Sequence, residues 1–256
     1  SQIAVNYSRD LEAFPLLSRI LEKITGKPCV YKSPTDMGVN RCGFGITDDQ
    51  ACRDAGNQEI IRRYFKISSD YVSGLSDEET VNRIVAIMDK AGVKEEDRAV
   101  VIPARRALEK AIREGKGKNG TACAAAMELR DGRIVTAHNS ELMHASSALL
   151  LNALKVLNGI DKEKDLISKE VVKNITTMKR DVLSGKGVSL NLDETLIALA
   201  MSAATDEDAK KALESLPLLK DTEVHMTHIP SAGDSTGLRK LGIQFTSDPL
   251  YPARNI

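Results

Sequence analysis

Residues 115–120, GKGKNG, separate two kinds of sequence. Before them, apolar residues recur at the three-to-four spacing of amphipathic helices. After them, short apolar segments stand between turn signals. No single period serves both stretches, so the sequence predicts a mixed α/β protein. A mostly helical part covers 1–117 and a sheet-building part covers 118–256. The boundary itself fits G-x-G-x-x-G in form, but a helical pattern precedes it and a strand pattern follows. A dinucleotide fingerprint needs the reverse order, so that backbone amides at a helix start meet the pyrophosphate. The stretch reads as a flexible linker.

In the first part, Leu11, Phe14, Leu17, Ile20, Leu21 and Ile24 stripe a helix over 10–25. A second helix starts at Asp48 or Asp49 and runs to about Phe65. Ser76–Glu79 matches the capping box S-x-x-E and opens a third helix to about Ala91, and a fourth covers 103–113. In the second part, 121–129 and 133–137 flank RDGR as a hairpin, and 144–157 is an apolar helix. Helices near 169–183, 193–204 and 206–215 follow. Strands at 223–229 and 243–246 enclose a short helix at 235–241. The expected architecture is a three-layer αβα arrangement, a mixed sheet with helices on both faces.

The charges cancel, 36 basic against 36 acidic residues, and aromatics are 4% with no Trp. That removes the basic footprint and the stacking platforms of a nucleic-acid binder. The longest apolar run, around 145–151, falls well short of the ~18 residues that span a bilayer, so no membrane partner is expected. Cys29, Cys42, Cys52 and Cys123 are irregularly spaced and form no C-x-x-C. They read as reduced thiols of a cytoplasmic protein. The first residue is Ser1, with no secretory pattern behind it, which suggests a trimmed, processed or partial chain.

Candidate chemistry lies in two places. The loop KSPTDMGVNRCGFGITDD, residues 32–49, gathers Ser33, Thr35, Asp36, Asn40 and Arg41 between glycines that permit close approach to a ligand. Asp36 is a candidate base and Arg41 can grip a carboxylate or phosphate in bidentate fashion. The alternative is a connecting loop whose polar groups bond only to local backbone. The second place is the helix start at His144, Ser146 and Ser147, where unpaired N–H groups attract an anion unless a serine simply caps the helix. Among the histidines, His138, His144, His225 and His228, no H-E-x-x-H occurs. His225 and His228 are three apart on a predicted strand and point to opposite faces, so they are poor partners for one metal. His144 and His225 are the acid/base candidates, each at an element end that can face a common cleft.

The layout of residues 131–155 is similar to that of zinc-dependent cytidine deaminases, where a hairpin leads to a helix bearing Cys or His, then Ala, then a catalytic Glu. Here His144-Ala145-Ser146 lacks the Glu. The later P-C-x-x-C has as its nearest counterpart Pro230-Ser231-Ala232-Gly233, without thiolates. A deaminase-like scaffold with no zinc and no other metal is therefore expected.

Taken together, AVNYSRDLEAFPLL, YKSPTDMGVNRCGFGITDD, NQEIIRRYF, DGRIVTAHNSELMHASSALLLNALK and RKLGIQFTSDPLY resemble one bacterial family, domain of unknown function 1846, also called UPF-0371. The resemblance implies a protein about twice this length, of which this chain is the C-terminal half. It also implies a glycine-rich phosphate-binding stretch in the N-terminal half, hence a nucleotide as cofactor and that half as partner. The site positions it carries over are Ser33, Thr35, Asp36, Asn40, Ser146, Ser147 and His225, with Arg41 and His144 inside or beside the matched motifs. The expectation is a cytoplasmic nucleotide-dependent enzyme acting on a small polar or anionic metabolite. The alternative is a non-catalytic oligomerisation or regulatory module, a homo-oligomer through its helical part.

Overall fold

A computed structural model describes residues 7–29, 49–183 and 187–252, and the chain divides into two compact units, 1–98 and 99–256. Ser33, Thr35, Asp36, Asn40 and Arg41 lie outside the described residues. The units part ahead of the 117/118 boundary read from the sequence. The reason is the helix at 101–113, which packs on the sheet and so belongs with the second unit.

The first unit contains α1 (Tyr7–Thr25), α2 (Asp49–Val72) and α3 (Glu78–Ala91). Ile60, Ile61 and Phe65 of α2 and Ile84 and Met88 of α3 are buried where these two helices pack. The α3 cap is Asp77 rather than Ser76. Its carboxylate accepts the Thr80 amide at 2.7 Å, and an ionised oxygen holds that amide better than a hydroxyl.

The second unit runs α4 (Val101–Arg113), β1 (Ala124–Glu128), β2 (Ile134–His138), α5 (Ala145–Asn158), α6 (Lys169–Thr177), α7 (Leu192–Ser202), α8 (Glu207–Glu214), β3 (Glu223–Met226), α9 (Ala232–Lys240) and β4 (Gln244–Ser247). The four strands form one mixed sheet in the order β2-β1-β3-β4; β1 is antiparallel to both neighbours, and β3 and β4 are parallel. With α1 to α3 this makes nine α-helices among the described residues, a mixed α/β protein. None is long and apolar enough to cross a membrane.

Alternation along β1 decides what covers each face. Ala125 and Met127 point into the large core, with Val135 and Ala137 of β2, Val224 and Met226 of β3, Leu149, Leu150 and Leu154 of α5, Leu199 of α7 and Leu238 of α9. Ala126 points the other way, onto Val100 and Ala104 at the start of α4. Both faces are thus covered, and β1 is buried at every position but its last. Its run of alanines lets helices approach closely from either side. Each fully buried leucine of this core stabilises the fold by roughly 2 kcal/mol.

The same alternation sorts the polar residues. His225 stands opposite Ala126, so it faces α4, as do Thr246 beside it and Asp248 two residues further on. Val224 and Met226 take the α5 side.

Candidate functional site

Three helices of the second unit begin around one carboxylate. The turn before α5 is held by a bridge between Met143 and Leu190: the Leu190 amide donates to Leu142 O at 2.7 Å and the His144 amide to Leu190 O at 3.0 Å. The start of α7 is fixed by a capping box between Asn191 and Glu194. The start of α9 is capped by Ser231, whose Oγ accepts the Asp234 amide at 3.2 Å. Gly237 lets α9 come close to α7, since a Cβ there would sit 2.8 Å from Leu192 Cδ2.

Asp234, in the first turn of α9, is 2% exposed. Its Oδ2 accepts from His144 Nδ1 and from Ser231 Oγ, each at 2.7 Å. Its Oδ1 accepts from Ser146 Oγ at 2.9 Å and from the Leu192 amide at 3.0 Å. Burial by itself pushes the carboxyl pKa up. The hydrogen bonds from His144, Ser231 and Ser146 outweigh it and bring the value down to about 2. The group is an anion at neutral pH, placed where the first N–H groups of α7 favour one.

That arrangement assigns the His144 tautomer. Facing a carboxylate, Nδ1 carries the proton, and in the neutral ring Nε2 is left with a lone pair. Among the described residues nothing takes Nε2. The His144 side chain is 37% exposed and lines a cleft of about 350 Å³.

Other walls of the cleft come from residues that the sequence reading passed over. Lys118 and Asn119 enter from the GKGKNG stretch, which is a tight turn and not a loose connection. Lys118 and Thr121 exchange backbone hydrogen bonds at 3.0 and 2.9 Å, and Asn119 and Gly120 take φ of 51° and 75°. This is the backbone of the two-residue turn that Asn-Gly favours. Gly117, at φ 125°, leaves room for it, because a Cβ there would collide with Thr121 O. Lys118 Nζ donates to Ser189 Oγ at 2.8 Å and has no carboxylate partner among the described residues.

His228 lies just past β3, between Thr227, whose Oγ grips both backbone groups of Ala124, and Ile229, whose amide donates to Leu250 O. Its Nδ1 is buried without a hydrogen-bond partner among the described residues. Burial lowers its pKa to about 4, so the ring is neutral at physiological pH. Cys123, also in the lining, has its thiol pushed up by burial to about 11 and stays protonated.

The sequence candidates separate as follows. His144 and Ser146 meet on Asp234. Neither serine at the start of α5 caps it: His144 holds the cap position without a side-chain bond, and Ser147 Oγ donates to Leu190 O at 3.2 Å. The anion at this helix start is the protein's own Asp234. His225 does not share a cleft with His144, because strand alternation turns it toward α4. There its Nδ1 pairs with Thr246 Oγ1 at 2.9 Å and its Nε2 lies 3.3 Å from Asp248 Oδ1, which also accepts from Arg105 at 2.6 Å. Asp234, Ser231, His228 and Lys118 were missed. The signal for the first two was S-x-x-D at 231–234, a capping pattern after a strand, and for Lys118 it was Asn-Gly. Among the described residues, no three His, Cys, Asp or Glu side chains gather so as to hold a metal ion.

Two family models match the chain. Residues 96–256 match "Domain of unknown function DUF1846, C-terminal", and residues 1–92 match "Domain of unknown function DUF1846, N-terminal". A UPF0371 protein of Fusobacterium nucleatum is 50% identical over 258 residues, covering 100% of this chain and 51% of the relative. UPF0371 proteins of two Clostridium botulinum strains, Alaska E43 and Eklund 17B, are each 47% identical over 256 residues, with the same coverage. The chain spans about half the length of the curated relatives it matches. The expectation that it is only a C-terminal half is corrected, since it matches both family domains, and the matches change over beside the seam between the compact units.

Proposed function

The chain belongs to the DUF1846 family, and on that footing we propose that its second unit is an acid–base site for a small polar or anionic metabolite. His144 is the working base and Asp234 its fixed partner. The observation that carries this reading is the saturated, buried Asp234 carboxylate, which orients the imidazole and leaves Nε2 open to the cleft. A substrate proton passes to Nε2, and the imidazolium that results is stabilised by Asp234 at 2.7 Å. Positioned proton transfer of this kind contributes on the order of 10²–10⁴ in rate. Ser146 and Ser231 are not nucleophiles: both hydroxyls donate to Asp234, and neither is activated by an imidazole nitrogen.

A deaminase-like scaffold is part of the proposal. Its support is the order of parts: hairpin, helix opened by His144-Ala145, strand β3, then a helix opened by Ser231. In the pattern P-C-x-x-C, Ser231 and Asp234 stand where the thiolates would. A hydroxyl and a carboxylate bonded to one another replace two soft metal ligands. Use of a nucleotide by the whole protein, and assembly with further copies, are proposals that rest on the family resemblance and not on this cleft.

The test is depletion. The 256-residue chain is incubated with a pool of small phosphorylated and carboxylated metabolites, and their loss is followed by mass spectrometry. The unmodified chain should consume at least one compound, and His144→Gln and Asp234→Asn should not. No consumption by the unmodified chain, or equal consumption by His144→Gln, ends the acid–base reading.

A further inference from the structure

Resting on the cleft reading above and sharpening its ligand, we propose that the cleft takes an anionic group, a phosphate or a carboxylate, between Lys118 and His228, so that the substrate is a small anion presenting its proton to His144. Three observations converge on this. Among the described residues, the charge of Lys118 meets the Ser189 hydroxyl at 2.8 Å and no carboxylate. Asp234 is the one acidic side chain in the lining among the described residues, and its oxygens already accept four hydrogen bonds. Its acceptor sites are taken, so it has little capacity left to accept from Lys118 or from a ligand. Finally, His228 lines the cleft with no hydrogen-bond partner on its ring among the described residues; Nδ1 is sealed, which leaves Nε2 as the nitrogen for a ligand.

A cationic ligand would face Lys118, and among the described residues of the lining would find no carboxylate but Asp234. A neutral ligand would leave the lysine charge as it stands. An anion answers both, giving Lys118 its counter-charge and accepting from His228 when that ring carries its proton on Nε2. At about 350 Å³ the cleft is at the small end of ligand sites, which fits a compact metabolite.

Inorganic phosphate and acetate are the probes. Each is titrated into the 256-residue chain while the imidazole ¹⁵N resonances are recorded. One of them should shift His228 saturably while leaving His138, outside the cleft, unmoved; which one does so separates phosphate from carboxylate chemistry. Lys118→Met should weaken that binding at least tenfold. Lys110→Met, a lysine outside the lining, should leave it within twofold. Urea unfolding of both variants checks that each still folds, and His228→Asn gives a second route to the same loss. No saturable shift with either anion overturns the inference, as does equal binding by Lys118→Met. If the anions fail while His144→Gln still abolishes depletion, only the anion site falls. If they bind as expected and His144→Gln depletes normally, only the base falls.

Discussion

Two histidine–aspartate pairs lie on opposite sides of the same sheet, and they differ in which partner is sealed. In His144–Asp234 the carboxylate side chain is 3% exposed and the imidazole 37%. In His225–Asp248 the imidazole is fully buried, and the carboxylate, 10% exposed, is shared with an Arg105 side chain that reaches solvent at 35%. The residue types and contacts are similar, yet only the first pair offers a basic nitrogen to a cavity. The second closes on itself between β3, β4 and α4. A histidine beside an aspartate is therefore not a site in itself; what meets the far nitrogen decides.

The largest effect expected from this contrast is on stability. Asp234→Ala strands four donors at once, two of them on residues under 2% exposed. The loss should be about 3–5 kcal/mol, the range for breaking a buried charged network. Asp248→Ala frees an arginine that can turn to water, and should cost roughly 1–3 kcal/mol. Urea unfolding measures both. Equal losses would mean the two pairs are not distinguished by burial.

Next in size is the pH dependence. The folded pKa of His228 is depressed from 6.5 to about 4. Between those values the unfolded chain binds the proton and the folded chain does not, so stability falls as pH drops from 6.5 toward 4. The full difference is about 3 kcal/mol. Asp234, depressed from 3.8 to about 2, adds its own loss only as pH falls from 4 toward 2, of about 2 kcal/mol. His228→Asn should flatten the upper window and leave the lower one. Bound anion should raise the lower end of the upper window and shrink the loss, because a negative neighbour favours the folded imidazolium while the unfolded value stays at 6.5. A flat profile in unmodified protein would remove His228 from the buried neutral class.

Close packing of α9 on α7 is what delivers Asp234 to the Leu192 amide, so Gly237→Ala tests the geometry apart from the charge. The added Cβ would meet Leu192 Cδ2 at 2.8 Å, and the helix must shift or the leucine repack. The expected cost is about 1–3 kcal/mol. Anion binding should weaken in parallel, because Ser231 and Asp234 ride on the same helix. Loss of stability with binding unchanged would show that the cleft tolerates movement of α9.

Much of this architecture was legible because periodicity is a local property. The helices at 10–25, 144–157 and 193–204, the hairpin around RDGR and the strands near 223 and 243 all lie within a few residues of the observed α1, α5, α7, β1–β2, β3 and β4. His144 and Ser146 were legible as well, because they open an apolar helix. Asp234 was not: it acts through residues 42 to 90 positions away, and no local pattern records which helix starts will meet. Comparison with a metal motif over Pro230–Gly233 ends one residue short of it. His225 was misplaced toward the cleft because its face depends on strand register, whereas the alternation that separates it from His228 was readable. Lys118 was hidden by the resemblance of GKGKNG to a linker, although Asn-Gly in its middle is a turn signal. The residues 33–41 that first suggested a ligand loop lie outside the described residues, so the site argued above is a different one.

Arg105→Met gives the smallest effect and the cleanest check of the contrast. Arg105 holds Asp248 from α4 through Nη2 at 2.6 Å and Nε at 3.3 Å. The guanidinium is about one-third exposed, so screening discounts the pair, and about 1 kcal/mol of stability should be lost. Its consequence for the cleft should be small: Asp248 exerts the smallest of the effects on the His228 ring, so the His228 resonance should respond to phosphate or acetate nearly as in the unmodified chain. If anion binding moved together with the Arg105 deletion, the two histidine–aspartate pairs would be coupled through β3, where His225 stands three residues before His228. The sealed pair would then be part of the site and not its structural counterpart.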